Sequence, residues 1–313
     1  MQTNRPYLSI VSPVYQAAGL VEELVSRIVD SLSTLSRPYE IILVEDGSRD
    51  CSWAEIVKVC RNNPQVKGIK LSRNFGQHSA ITAGLSESSG ELVVVMDCDL
   101  QEDPACIPAL IALCGDGEEG FDVVLTRRES PQQSRWRQFG GKLFFSIYSL
   151  LTDDSIHRHG VGTLSVLKRK VVDQFLELHD AHRHYLLLVR WLGFRSTMVA
   201  VPHSLRPTGK SSYSFKKLVM HAVDGIVSQS TRALHLSIVA GVTMGLLACA
   251  GVVFLFVAYF IWGFREGWAS LAVLILLCSG LILLAQGVTS LYVGKSFEQG
   301  KQRPLFIISE KRN

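Results

Sequence analysis

The stretch Leu92-Val93-Val94-Val95-Met96-Asp97-Cys98-Asp99 decides the fold of this chain. A short valine-rich run bounded by polar residues predicts a buried parallel strand, and open α/β sheets bind their ligands at the carboxyl ends of such strands. Because side chains alternate along a strand, Asp97 and Asp99 project together while Cys98 turns away. Two adjacent carboxylates suit Mg²⁺ or Mn²⁺ bound together with substrate phosphates. The alternative is that both aspartates only cap the following helix.

Predicted strands and helices alternate around this run. The strands are predicted over residues 7–14, 39–44, 66–71, 92–96 and 122–126, and the helices over 21–35, 52–62, 77–86 and 103–114. A β-α-β alternation of this kind predicts an α/β domain with a doubly wound, mostly parallel sheet.

Two long apolar stretches follow the predicted sheet domain. Residues 236–262 and 268–293 carry no charged side chain, and each exceeds the roughly 20 residues that cross a bilayer. Because the link between them is short, we expect a transmembrane hairpin. The link holds one basic residue, Arg265, whereas five lie beyond the second stretch. The positive-inside rule then predicts a multi-pass protein of the cytoplasmic membrane with both termini and the sheet domain in the cytoplasm.

Composition narrows the partners and the domain boundaries. The net charge is only +4, and the basic residues of the tail favour contact with anionic lipid over nucleic acid. The seven cysteines contain no C-x-x-C pair, so neither a disulfide framework nor a zinc site is indicated. We predict a sheet domain over residues 1–230, a hairpin over 231–294, and a basic cytoplasmic tail over 295–313.

Short motifs follow successive predicted strands. They are Ser12-Pro13-Val14-Tyr15, Val44-Glu45-Asp46-Gly47-Ser48, Leu71-Ser72-Arg73-Asn74-Phe75-Gly76-Gln77, Asp97-Cys98-Asp99-Leu100-Gln101 and Arg206-Pro207-Thr208-Gly209-Lys210-Ser211-Ser212-Tyr213. In this order, and with the hairpin behind them, they resemble the inverting family 2 glycosyltransferases of GT-A fold. The resemblance spans essentially the whole chain. It is strongest to membrane-anchored polyprenyl-phosphate glycosyltransferases, such as bactoprenol glucosyltransferases and dolichyl-phosphate mannose synthases.

The resemblance implies roles for the first four motifs. Asp46 would accept the N–H of a uracil-like base, and Pro13 and Tyr15 would line the base pocket. Asp97 would contact the donor ribose or diphosphate, and Asp99, with Asp97, would hold Mg²⁺ or Mn²⁺. Gln101 would face the sugar or the acceptor phosphate, which completes a catalytic group of Asp97, Asp99 and Gln101. The alternatives are turn or cap roles for Asp46 and plain loop packing for Pro13 and Tyr15.

Basic residues complete the implied site. Arg127 and Arg128 end the fifth predicted strand, where the family places an arginine against phosphates, and Arg suits bidentate phosphate recognition. The last motif resembles the loop that closes on the donor and on the lipid phosphate. Its implied acceptor-binding residues are Arg206, Lys210, Ser212 and Tyr213. The alternative is a flexible basic linker.

One departure from the family bears on the acceptor. Relatives carry Gly-Asp-Phe-Arg where this chain has Gly162-Thr163-Leu164-Ser165, so the aspartate often credited as catalytic base aligns with Thr163. A hydroxyl acceptor needs a base, whereas a phosphate monoester is largely ionised at pH 7. The departure is therefore tolerable for a lipid-phosphate acceptor and awkward for a hydroxyl acceptor. The alternative is that acceptor recognition has drifted, so we name no base.

The resemblance implies a metal-dependent glycosyltransferase that moves a sugar, with inversion, from a nucleotide-diphosphate sugar to a membrane polyprenyl phosphate. A UDP-linked donor is favoured, and relatives suggest a homo-oligomer. One rival is transfer to a hydroxyl of a lipid-linked saccharide or envelope glycan, with Glu102 or Asp103 as base. A second rival is a non-catalytic, membrane-bound module that binds a nucleotide sugar.

Overall fold

A computed structural model describes residues 5–33, 35–115, 120–128, 161–180, 183–202, 232–262 and 267–313. The strands are β1 (Leu8–Val14), β2 (Tyr39–Glu45), β3 (Val66–Leu71), β4 (Leu92–Val95), β5 (Val123–Arg128), β6 (Val161–Lys168), β7 (Ser196–Val201) and β8 (Ile308–Arg312). The helices are α1 (Val21–Leu32), α2 (Ser52–Asn62), α3 (Gln77–Glu87), α4 (Ile107–Cys114), α5 (Arg169–Glu177), α6 (Tyr185–Trp191), α7 (Arg232–Trp262) and α8 (Trp268–Gly300).

The strands described here form one mixed sheet in the order β7-β5-β6-β4-β1-β2-β3-β8. Strands β1 to β4 pair in parallel, whereas β6 pairs antiparallel with both β4 and β5. The chain steps outward from β1 to β2 and β3 and then returns to β4 on the other side of β1. The point where β1 and β4 lie side by side is therefore the switch point, where a crevice opens beyond the carboxyl ends of the strands.

Helices cover both faces of the sheet, as the apolar strands require. One core packs α1, α2 and α4 against side chains such as Ile10 and Leu43, and the other packs α3, α5 and α6 against Val11 and Val44. Neighbouring residues of a strand face opposite sides of the sheet, and helices cover both sides. Therefore β1 is buried along its whole length. The predicted α/β architecture with a mostly parallel sheet is confirmed.

The chain after α8 returns to the sheet. Ile308–Arg312 pairs antiparallel with β3, with Ile69 opposite Lys311, and Glu310 accepts a hydrogen bond from the Trp53 indole at 3.1 Å. Part of the stretch predicted as a basic tail is therefore the edge strand β8. Its charged residues suit an edge position, where they oppose further strand pairing.

The two long helices coincide with the apolar stretches and belong to a compact unit separate from the sheet. Within the described part of the chain, one helical stretch, Leu277–Gly300, is long and apolar enough to cross a bilayer. The two-span hairpin therefore stays a prediction.

Candidate active site

A cavity of about 250 Å³ opens beyond the carboxyl ends of β1, β2 and β4, next to the switch point. The strand order brings together motifs that are up to 86 residues apart in the chain. The lining residues are Pro13, Tyr15, Asp46, Asn74, Gly76, Gln77, Asp97, Cys98 and Asp99. Five predicted site residues, namely Pro13, Tyr15, Asp46, Asp97 and Asp99, thus share one pocket.

Asp46 lines the pocket directly after β2, and its side chain holds the loop that follows β3. Its Oδ1 accepts the backbone N–H of Phe75 at 2.7 Å, and its Oδ2 accepts that of Gly76 at 2.9 Å. Asn74 in turn donates its side-chain amide to the Asp46 carbonyl at 3.1 Å. Burial raises the pKa of Asp46, although the two backbone donors oppose that shift. This carboxylate therefore organises the pocket wall as well as facing the cavity.

The turn after β2 and the loop after β3 touch through a glycine. Gly47 has φ of +63°, and a Cβ at this position would lie 2.3 Å from the backbone N of Asn74 and 2.4 Å from the carbonyl carbon of Arg73. No other residue satisfies both the left-handed backbone and the close approach. Gly76, with φ of +93°, allows the loop to turn into α3 immediately beside the pocket. These glycines set the shape of the pocket wall.

Asp97 also lines the pocket, and each of its carboxylate oxygens accepts a hydrogen bond. Gln77 Nε2 donates to Oδ1 at 2.6 Å, and Thr163 Oγ1 donates to Oδ2 at 2.9 Å. Asp99 Oδ1 accepts the backbone N–H of Gln101 at 3.2 Å. The turn from Asp99 to Gln101 includes Leu100, whose backbone φ of +57° is unusual for a residue with a side chain of this size. This strained turn follows Asp99 directly at the pocket wall.

The chemistry of these groups fits a divalent cation that arrives with a diphosphate. Within the described residues, no group of three or more His, Cys, Asp or Glu side chains gathers as a metal site. Asp97 and Asp99 offer hard carboxylate oxygens, and Mg²⁺ is typically held by one or two carboxylates plus substrate phosphates. Burial, reinforced by the flanking aspartates, raises the pKa of the Cys98 thiol to about 12, so at neutral pH it is a neutral thiol rather than a thiolate ligand.

Of the remaining predicted residues, Gln101 and Arg127 are described and do not line this cavity. Gln101 is partly buried, and Arg127 is exposed on β5. Arg128 ends β5, where its backbone lies opposite Val201 of β7. The predicted acceptor-binding residues lie outside the described part of the chain. They are Arg206, Lys210, Ser212 and Tyr213.

The structure adds Asn74, Gln77 and Thr163 to the site. Asn74 and Gln77 stand within the motif after β3, but the motif alone does not say that one side chain reaches Asp46 and the other reaches Asp97. For Thr163, the sequence indicates only that it stands where relatives of the family have an aspartate. The signal that locates it is the antiparallel register of β4 and β6, which sequence patterns do not specify.

The two carboxylates considered as bases for a hydroxyl acceptor have other roles. Glu102 is 3% exposed, and its Oε2 accepts the backbone N–H of Leu164 at 2.8 Å. Asp103 caps a short 3₁₀ helix by accepting the N–H of Ala105 at 3.0 Å. Neither side chain lines the cavity.

Comparison with known proteins agrees with this geometry. Residues 9–176 match the model of the glycosyl transferase family 2. An uncharacterized glycosyltransferase of Synechocystis sp. is 34% identical over 97% of this chain and 95% of its own length. The undecaprenyl-phosphate 4-deoxy-4-formamido-L-arabinose transferase of Proteus mirabilis is 32% identical over 97% of this chain and 93% of its own.

Among solved structures, a mannosyltransferase from Pyrobaculum calidifontis in complex with GDP-Man and Mn²⁺ matches with a TM-score of 0.42 and 18% identity, over 83% of this chain and 84% of that one. That likeness is too distant to bear on ligands or mechanism. The family match covers more than half of the chain, and the curated relatives cover nearly all of it. The chain belongs to glycosyl transferase family 2.

Proposed function

We propose that this protein transfers a sugar from a nucleotide-diphosphate sugar, preferably UDP-linked, to polyprenyl phosphate at the cytoplasmic face of the membrane, with inversion at the anomeric carbon. The observation that carries the proposal is the pocket that gathers Asp46, Asp97 and Asp99 at the switch point of the sheet. Curated relatives that align over the whole chain are undecaprenyl-phosphate sugar transferases, which supports the same acceptor class here.

The groups that line the pocket suit the two parts of such a donor. Tyr15, which is 47% exposed, and Pro13 offer apolar surface to a nucleobase beside Asp46, which can accept its N–H. Asp97 and Asp99 line the same pocket, and they would hold the divalent cation that a diphosphate brings. A cation held there would neutralise the charge that develops on the diphosphate as it leaves.

The reaction is a single displacement. An oxygen of the acceptor phosphate attacks C1 of the sugar from the side opposite the diphosphate. The new C1–O bond forms as the C1–O bond to the diphosphate breaks, and the nucleoside diphosphate departs with the electron pair. Arg127 and Arg128 would stabilise phosphate charge from β5, and Gln101 would contact the sugar or the acceptor phosphate. Arg206, Lys210, Ser212 and Tyr213 would bind the lipid phosphate.

An ionised acceptor fits the groups around Asp97 better than a hydroxyl does. An attacking phosphate carries its own negative charge at pH 7 and needs no base. Glu102 is buried against Leu164, Asp103 caps a helix, and Thr163 presents a hydroxyl that donates to Asp97. A hydroxyl acceptor would have to find a base elsewhere.

The two long helices would keep this chemistry at the lipid surface. Both α7 and α8 coincide with uncharged stretches long enough to span a bilayer, and basic residues lie beyond the second of them. We therefore include a two-span hairpin in the proposal, with the sheet unit and both termini in the cytoplasm. Assembly as a homo-oligomer, as the resemblance implies, is a further part of it.

The test uses washed membranes from cells that overproduce the full chain. Radiolabelled nucleotide sugars are added one at a time with polyprenyl phosphate and Mn²⁺, and label entering the organic phase is counted. We expect acid-labile lipid label that disappears with EDTA and with Asp99→Ala, but persists with the control Asp30→Ala, which changes an exposed aspartate on α1.

Other results would select a rival. Label that enters a lipid-linked saccharide but not polyprenyl phosphate would contradict the phosphate acceptor and support transfer to a hydroxyl. Nucleotide binding by folded protein, with neither transfer nor donor hydrolysis for any donor and metal, would support the non-catalytic module.

A further inference from the structure

Two side chains donate hydrogen bonds to Asp97, and the proposed reaction assigns no role to either of them. Gln77 donates to Oδ1 of Asp97 at 2.6 Å and Thr163 donates to Oδ2 at 2.9 Å. We call Gln77 and Thr163 the Asp97 clamp. Its two members come from different elements, since Gln77 begins α3 and Thr163 lies on β6. Together they define the plane of the carboxylate, because each holds one oxygen.

The register of the sheet fixes the position of Thr163. Strands β4 and β6 run antiparallel with Val95 opposite Ser165, so Thr163, two residues before Ser165, faces Asp97, two residues after Val95. Cross-strand neighbours in such a pair have Cβ atoms roughly 5 Å apart, which suits a short hydroxyl side chain. A threonine is also stiff at χ1, so its hydroxyl is held in place at little further cost in entropy.

Buried groups support Thr163 from behind. Ser165 Oγ donates to the Thr163 carbonyl at 2.9 Å and lies 2.8 Å from the hydroxyl of Tyr185, which is fully buried. Tyr185 packs edge-on against Phe175 in the core between the sheet and α5. The strand segment that carries Thr163 is thus hydrogen-bonded to buried side chains, which hold the Thr163 backbone in a fixed position.

The other member of the clamp, Gln77, depends on Asp46 for its position. Gln77 follows Gly76, whose N–H binds Asp46, so the start of α3 is anchored by the same carboxylate that we assign to the nucleobase. Two hydrogen bonds, from Gly76 to Asp46 and from Gln77 to Asp97, therefore connect the two carboxylates through the peptide bond between Gly76 and Gln77.

We propose that Thr163 and Gln77 are positioning residues that hold the Asp97 carboxylate in the orientation needed to bind the metal–diphosphate part of the donor. The proposal rests on the proposed function, because it assumes a donor diphosphate and a cation at Asp97 and Asp99. A hydroxyl at position 163 can donate to Asp97, whereas an aspartate in its place would repel it. Partners that orient a metal-binding carboxylate typically change metal affinity or activity about 10- to 100-fold when removed.

The experiment measures binding of Mn²⁺ to the purified full chain in detergent by electron paramagnetic resonance, with UDP, GDP and dTDP added in turn. Thr163→Val removes the donated hydrogen bond at nearly constant volume, and Thr163→Ser keeps it. Gln77→Leu removes the second donor. Thr197→Val, on β7 and outside the pocket lining, is the matched control.

We expect Thr163→Val and Gln77→Leu each to weaken nucleotide-dependent Mn²⁺ binding by about 10- to 100-fold, while Thr163→Ser and Thr197→Val stay within about threefold of the wild type. In the transfer assay the two weakened variants should raise the KM for the donor, and added Mn²⁺ should partly restore their rate. Rescue by serine distinguishes positioning from a general loss of structure, and the thermal unfolding midpoint of each variant checks folding directly.

Two outcomes separate this proposal from the proposed function. If Thr163→Val binds Mn²⁺ with nucleotide as tightly as the wild type, the clamp proposal is overturned and the donor site stands. If the wild type itself binds no Mn²⁺ with any of the three nucleotides, the donor site is overturned and the clamp proposal with it.

Discussion

Gly162 is a position where a single added methyl group should strain the sheet near the pocket. A Cβ on Gly162 would lie 1.9 Å from Oε1 of Glu102 and 2.8 Å from Oγ1 of Thr126, and both of those side chains are buried. Glu102 is held in place because its other oxygen accepts the N–H of Leu164 at 2.8 Å. The substitution Gly162→Ala therefore forces a buried carboxylate out of its position.

The cost follows from what Glu102 must give up. Displacing it by more than an ångström breaks its bond to Leu164, and losing a hydrogen bond to a buried charged group costs about 1.5–3 kcal/mol. Overpacking of the surrounding side chains adds about 1–3 kcal/mol. We expect Gly162→Ala to lower the free energy of unfolding by about 2.5–6 kcal/mol, or the thermal midpoint by about 5–24 °C.

The assay is thermal unfolding of the full chain in detergent, followed by tryptophan fluorescence. Gly19→Ala is the matched control, because Gly19 is exposed and a Cβ there meets nothing within 4 Å. The double variant Glu102→Ala/Gly162→Ala tests the cause, since Gly162→Ala should cost at least about 1.5 kcal/mol less once the carboxylate is gone. An unchanged midpoint for Gly162→Ala, or an equal cost in both backgrounds, would refute the reasoning.

Three further predictions concern the pocket and the amino end of the inner strand β2. Gly47→Ala should lower the free energy of unfolding by about 2–4 kcal/mol and weaken nucleotide binding, because its Cβ would strike the backbone of the loop after β3; calorimetry against Gly19→Ala checks both effects. Burial raises the pKa of Glu40, but its ion pair with Lys67 at 2.7 Å and hydrogen bonds from two serines outweigh burial and leave that pKa below its ordinary value of 4.5. The Glu40 carboxylate therefore binds a proton more readily in the unfolded chain than in the folded one. The stability that Glu40 contributes is present above pH 4.5 and is lost as the pH falls. Unfolding midpoints measured from about pH 6 to 3 should therefore fall less steeply for Glu40→Gln than for the wild type. Asp99→Asn should lower metal-dependent transfer at least about 100-fold while leaving the unfolding midpoint near that of the wild type, and full activity of this variant would remove Asp99 from the metal site.

Much of the sheet unit could be predicted from local patterns. Residues 52–62 and 66–71 were predicted as a helix and a strand with the bounds that the structure has, and the strand predicted over 39–44 ends one residue later, at Glu45. Strands buried on both faces carry continuous apolar runs, and the helices between them show a helical period, so the order of elements can be read directly. The same logic placed the aspartates at the strand ends that meet beside the switch point.

Local patterns failed where a strand is exposed or distant in sequence. The strand β8 contains Glu310, Lys311 and Arg312 and has no apolar run, so it looked like a charged tail. It forms because β3 offers an open edge and because Trp53 and Glu87 bind its charged side chains. Pairing between segments more than 200 residues apart leaves no signal in a local pattern.

By itself, the sequence determined the α/β class, the order of the elements and the presence of Asp46, Asp97 and Asp99 at the ends of buried strands. Hydrophobic periodicity and turn chemistry are local properties, so they survive in the linear chain. Only the tertiary structure decided that Thr163 and Gln77 hold the two oxygens of Asp97. That contact depends on the antiparallel register between β4 and β6 and on the loop anchored by Asp46, and both are set by packing between distant segments.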